Sequence, residues 1–120
     1  MAWEIEVTNE FAAWFRGLPE DLQDAVIAKI DMLEAHGPHL GRPHADTLSH
    51  DSRHMNMKEL RIQHRGDAYR ILFAFDPRRI GILLTGGRKP DDRWYKSAVP
   101  KADKLYDDYL EELKREGHLR

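Results

Sequence analysis

The chain has 120 residues, a formal net charge of −2 and no cysteine, a size that suits one domain spanning 1–120, since domains most often run to roughly 100–150 residues. The lack of cysteine removes thiolate catalysis, iron–sulfur clusters and cysteine-based zinc sites, and fits a reducing compartment. No apolar run approaches the roughly 20 residues that cross a bilayer, and the start Met-Ala-Trp-Glu-Ile-Glu has neither the basic flank nor the apolar stretch of a signal peptide, so a cytoplasmic location and no membrane association are expected.

Residues 3–7 (Trp-Glu-Ile-Glu-Val) alternate apolar and acidic side chains, the period of a strand with one buried face. Thr8 or Asn9 then caps a short helix carrying Phe11, Trp14 and Phe15. Pro19 opens a second helix with Glu20, Asp21 and Asp24 in its first turns. Leu22, Val26, Ile27, Ile30 and Leu33 recur at helical spacing, and Gly37-Pro38 ends the run. Residues 38–54, rich in Gly, Pro, His, Asp and Ser, read as a long loop with a short extended piece around Thr47-Leu48.

Strands are expected at about 56–64, 68–76 and 79–86, separated by Arg65-Gly66-Asp67 and Asp76-Pro77-Arg78, turns short enough to dictate an antiparallel meander. A Gly-Gly-Arg-Lys-Pro-Asp-Asp loop leads to Trp94-Tyr95, and residues 99–116 read as a charged helix with Leu105, Tyr109, Leu110 and Leu113 at helical spacing. The order β-α-α-β-β-β-α predicts an α+β fold: a small, mostly antiparallel sheet with helices packed on one face and the other face free.

Charge is unevenly distributed. Residues 1–52 sum to −7, residues 53–96 to +6 and residues 97–120 to −1, so an acidic first half masks a basic middle, and a polyanion meets the local field rather than the total. Strand parity indicates which side chains reach the free face. Leu60 and Ile62 share one face, leaving Glu59, Arg61 and Gln63 on the other, with Lys58 on the apolar parity. Tyr69, Ile71, Phe73 and Phe75 share one face, leaving Arg70, Leu72 and Ala74 facing out. Arg61 and Arg70 are thus expected side by side on the open face. The following loop brings Arg88, Lys89 and Arg93 to the end of the sheet, with Trp94, Tyr95 and Lys96 just behind. Fixed cations beside an aromatic ring suit RNA, with charge for phosphates and a planar surface for an unstacked base.

With Leu40-Gly41-Arg42-Pro43, Asp46-Thr47-Leu48, Met57-Lys58-Glu59-Leu60-Arg61, Tyr69 to Pro77, Leu84 to Lys89 and Trp94-Tyr95-Lys96 in this order, the chain resembles the HigB branch of the RelE/ParE-type bacterial toxins of type II toxin–antitoxin modules. The resemblance implies a RelE-like fold and a toxin that enters the ribosomal A site and cuts mRNA. By position it carries the strand arginines onto Arg61 and Arg70, the basic residue after the glycine turn onto Arg88 or Lys89, and the late tyrosine onto Tyr95, with Lys58 near a strand lysine common in the family. The long final helix and the lack of a histidine beside the tyrosine depart from shorter relatives. A cognate antitoxin is implied as partner, in this branch usually one with a helix-turn-helix DNA-binding domain.

Such a site would work without metal or cofactor. Arg61 and Arg70 match the phosphorane oxygens, Tyr95 stacks on a base or passes a proton, and Glu59, Lys58 or Lys89 serves as general base. Arg88, Arg93, Lys96 and Lys58 are the candidate RNA contacts. The bland readings are surface ion pairs of the arginines with Glu59 or Asp67, Trp94 as core, solvated loop roles for His36, His39, His44, His50 and His54, and a structural His64. Two other functions remain open: a ParE-like inhibitor of DNA gyrase on the same fold, and a non-toxic RNA-binding module.

Overall fold

A computed structural model of the chain describes residues 2–48 and 52–119. The elements are β1 (Ile5–Val7), α1 (Asn9–Arg16), α2 (Glu20–His36), β2 (Ala45–Thr47), β3 (Lys58–His64), β4 (Asp67–Phe75), β5 (Gly81–Arg88) and α3 (Tyr95–Arg115), with single 3-10 turns at Gly37–His39 and Asp92–Trp94. The five strands are ordered β1-β5-β4-β3-β2. β1 runs parallel to β5, and every other pair is antiparallel. The α+β class and the mostly antiparallel sheet expected from the sequence are both present.

Local chemistry sets these boundaries. Thr8 accepts a hydrogen bond from Phe11 N at 3.0 Å and donates to Leu84 O at 2.6 Å, so one hydroxyl caps α1 and pins it to β5. Gly37, at φ +58°, ends α2 where a Cβ would sit 2.3 Å from the Trp3 ring, which leaves room only for glycine. Arg65 (φ 50°) and Gly66 (φ 83°) form the two-residue turn between β3 and β4, with both centres left-handed as the twist of a tight hairpin requires.

The helices do not share one face. α1 and α2 cover one side of the sheet, where Phe11, Leu22, Val26 and Leu33 meet Leu60, Ile62, Ile71, Phe73 and Leu83. α3 covers part of the other side, where Ala98, Val99, Ala102 and Tyr106 meet Met57, Leu72, Ala74, Ile82 and Leu84. Leu72 and Ala74, expected to face out, are fully buried beneath α3.

The difference comes from the composition of α3. Its packing stripe is built largely of alanine and valine, which carry little weight in a search for large apolar residues, while Leu105, Tyr109 and Leu110 flank the contact. The helix also begins at Tyr95, ahead of Pro100. The proline forfeits a single backbone bond there, so the first turn still forms and carries Tyr95 out over the sheet.

Candidate active site

The part of the second face that α3 leaves uncovered holds the polar constellation. Arg61 and Arg70 stand directly opposite each other in the β3–β4 register, an arrangement of like charges that is unfavourable on its own. Glu59, two residues before Arg61, lies between them. Its Oε2 is 3.1 Å from Arg61 Nε and its Oε1 is 3.5 Å from Arg70 Nε. The side chains are 3% (Glu59), 11% (Arg70) and 30% (Arg61) exposed. Arg70 donates from Nη1 to Tyr69 O at 3.1 Å, while its buried Nε, although within ion-pair range of Glu59, makes no hydrogen bond.

Tyr95, from the first turn of α3, donates its hydroxyl to Glu59 Oε1 at 2.5 Å. Burial, together with the Glu59 carboxylate, pushes the phenol up to about 12 against the opposing pull of Arg70. Lys89 completes the group. Its ammonium lies 5.4 Å from the centre of the Tyr95 ring and 3.0 Å from Asp92 Oδ1. The ion-pair reading of Arg61 therefore holds for its partner, Glu59, but the pair is embedded rather than solvated, and Asp67 pairs instead with Arg88 at 3.5 Å.

A β-bulge governs which basic residues join this face. The β4–β5 register shifts between Leu72 and Phe73, so Leu84 and Thr85 together oppose Leu72 and the parity of β5 flips beyond them. A Cβ on Gly86 would meet Trp14 of α1, and one on Gly87 would meet Trp94 beside α3. Arg88, paired with Tyr69, consequently faces the α1–α2 side, whereas Lys89 faces Tyr95. Arg88 was expected at the end of the open face and is turned away from it. Lys58, in register with Phe73, also stands on the α1–α2 side, away from Glu59, as its apolar parity requires.

Arg93 lies at the rim, with Nε and Nη2 bonded to the Asp91 carboxylate at 3.1 and 2.7 Å, and this guanidinium holds Asp91 below the usual carboxylate range. Lys96 is exposed on the first turn of α3. Trp94 packs against the core beneath α3.

β2 and the turn before it add two side chains, Asp46 and Arg42, that the sequence offered only as parts of a motif. Asp46 is in register with Glu59, and Arg42 grips its Oδ2 from Nε and Nη2 at 2.9 and 2.7 Å. That guanidinium, aided by the charge of Arg61, holds Asp46 below the usual carboxylate range. A three-residue strand inside a Gly- and Pro-rich loop is too short to read by alternation, so the polar face appeared narrower than it is. Three histidines expected to be solvated or structural have specific partners: His44 with Lys29, His54 with Asp107 and His64 with Asp21. His50 lies outside the described residues.

Much of the +6 of the middle segment is matched locally, since Arg53, Arg65, Arg78, Arg88 and Arg93 each sit on a carboxylate. What distinguishes the candidate site is the convergence of Arg61, Arg70 and Tyr95 around one buried acid, Glu59, with Lys89 set against the Tyr95 ring.

The family model for phage-derived Gp49-like protein (DUF891) matches residues 13–107. The chain is 48% identical over 99 residues to a Mycobacterium tuberculosis protein named for a toxin role, HigB3, spanning 81% of this chain and 84% of that one. The chain belongs to the HigB-type toxin family. It is 41% identical over 113 residues to a second protein of that organism so named, HigB2, covering 92% of this chain but 55% of the relative, about half of its length.

Among solved structures, a variant of the E. coli RelE toxin in the free state superposes with a TM-score of 0.58 at 15% identity, over 84% of this chain and 98% of that one. The archaeal RelE–RelB complex from Pyrococcus horikoshii gives 0.55 at 14% identity, over 75% and 98%. At such identities the likeness establishes a RelE-like fold and leaves the chemistry of this HigB-type chain to its own residues.

Proposed function

We propose that this protein is the toxin of a type II toxin–antitoxin module and acts as a ribosome-dependent mRNA endoribonuclease. The observation that carries the reading is the Glu59-centred group, in which two guanidiniums, a phenol and an ammonium converge on the uncovered part of the sheet. In-line attack by a 2′-hydroxyl on its own phosphodiester requires three things: removal of the hydroxyl proton, stabilisation of the dianionic phosphorane, and a proton for the departing 5′-oxygen.

Arg61 and Arg70 suit the second task, because a guanidinium retains its charge and offers paired donors to equatorial oxygens. Glu59 turns both toward one point and is itself shielded from solvent. Tyr95 suits the first task. As its oxygen takes the 2′-hydroxyl proton, its own proton passes to Glu59 Oε1 along the existing hydrogen bond, so no free phenolate is needed at neutral pH. Lys89 is the candidate donor to the leaving oxygen. The products are a 2′,3′-cyclic phosphate and a free 5′-hydroxyl. Arg93 and Lys96, at the rim, are candidate contacts for flanking phosphates, while Lys58 and Arg88 would contribute only to a strand that wraps round the sheet edge.

A cognate antitoxin follows from the same reading, since RelE-type neighbours are solved with RelB. An antitoxin of the helix-turn-helix kind and action in the ribosomal A site are parts of this proposal. Its test is translation of a reporter mRNA with wild-type protein and with Arg61→Ala and Arg70→Ala. Cutting that depends on both arginines supports the assignment, and DNA damage with intact mRNA would favour gyrase inhibition.

A further inference from the structure

α2 carries a stripe that the core absorbs only at Ala25. Leu22, Val26 and Leu33 face the sheet, whereas Ala25, Ala28, Lys29 and Met32, at i, i+3, i+4 and i+7, line one flank of the helix and face a groove of about 590 Å³. Pro43 and His44 wall its far side, and the β3–β4 end of the sheet closes it with Arg61 and Arg70. The groove therefore opens onto the same two arginines that Glu59 holds, and its volume falls within the ~300–1,000 Å³ typical of small-ligand sites.

Its charge is one-sided. The lining residues include Lys29, His44, Arg61 and Arg70 and no carboxylate. Lys29 Nζ lies 3.0 Å from His44 Nδ1; an ammonium carries three donors and no acceptor, so this contact occupies one hydrogen and leaves others to spare. Burial pulls Lys29 below the usual lysine range with no acid to oppose it. Arg53, Arg65, Arg78, Arg88 and Lys89 each have a carboxylate partner, whereas Lys29 is bonded to an imidazole. A half-buried ammonium without a counter-ion among the described residues, facing a groove, is a site prepared for an anion.

The remaining walls narrow the class of anion. Ala25 and Ala28 leave a low apolar floor, bounded by Met32 and Pro43, beside the cations, and a sugar or base attached to a phosphate presents that combination of flat apolar ring and charge. An acidic peptide would match the charge but leave the floor uncovered.

We propose that this groove is a nucleotide subsite, in which Lys29 binds a flanking phosphate of the RNA while its sugar or base rests on Ala25, Ala28 and Met32. The inference rests on the RNA reading of the Glu59 site and extends it onto α2, making Arg61 and Arg70 the bridge between the cleaved and the flanking phosphate.

The test measures binding of a fluorescein-labelled 2′-O-methyl RNA hexanucleotide, which cannot be cut, to the full chain across a salt series. Lys29→Gln is expected to weaken binding severalfold and to reduce the slope of log affinity against log salt by about 0.7, the value for one single-strand phosphate contact. Ala28→Trp fills the groove without removing charge and is expected to weaken binding comparably. Thermal unfolding of both variants verifies the fold, and Lys104→Gln on the distant part of α3 serves as control.

Absence of wild-type binding, or wild-type affinity and slope in Lys29→Gln, overturns the subsite. So does displacement of the RNA by a glutamate decapeptide that requires Lys29, which assigns the groove to a protein partner. If binding depends on Lys29 but translated mRNA stays intact, the subsite stands and the nuclease reading fails.

Discussion

Arg61 and Arg70 occupy directly opposed positions on β3 and β4, and the buried carboxylate of Glu59 lies within 3.5 Å of both. Two like charges at that spacing repel, so the pair persists because a third residue neutralises part of it and the open side can still accept an anion. The arrangement favours a ligand whose negative charge increases at one point, as a phosphorane does.

Each arginine should therefore matter to the rate. Arg61→Ala and Arg70→Ala are each expected to lower mRNA cutting by about 10²–10³, the cost of deleting one donor to a developing oxyanion. Single-turnover cleavage of a translated message measures this, and a loss below tenfold would exclude transition-state contact.

Glu59→Gln preserves shape and removes the charge. With two guanidiniums left facing each other, the variant should lose about 3 kcal/mol of stability, the scale for removing one partner of a buried ion pair. Urea unfolding gives the value, and an unchanged midpoint would mean that Glu59 does not hold the pair.

Tyr95 should remain protonated well beyond the ordinary phenol range, because its position is pushed up to about 12. The neutral phenol is the form the fold prefers. Stability from this group is therefore fully present below the unfolded value near 10 and is lost as pH rises through the folded value, over about pH 10–12. Ultraviolet titration of wild type against Tyr95→Phe isolates the transition. For activity, Tyr95→Phe should lower the rate by about 10²–10⁴, as expected when a positioned acid–base group is lost, with RNA affinity little changed.

Leu72, fully buried beneath α3, should cost about 2–5 kcal/mol on truncation to Ala, whereas a solvent-facing leucine would cost almost nothing. Denaturant unfolding discriminates between the two sheet arrangements.

The particular residues explain what was legible beforehand. Alternation around Leu60 and Ile71 was strong enough to put Glu59, Arg61 and Arg70 on one face, because a period-2 pattern over seven or more residues leaves little choice. The cover on that face was not legible, since α3 packs through Ala98, Val99 and Ala102, small residues whose contribution depends on close approach. Arg88, expected on the open face beside Lys89, is turned away from it because a single bulged residue, Leu84, reverses parity without any composition that announces it. Asp46 escaped notice because β2 is only three residues long and borrows its regularity from β3.

The most direct measurement is end-mapping of a reporter mRNA translated with the purified protein. Cuts are expected within the translated region that leave a 2′,3′-cyclic phosphate and a 5′-hydroxyl and that disappear in Arg70→Ala. Intact mRNA with wild-type protein, or cutting that survives Arg70→Ala, would contradict it.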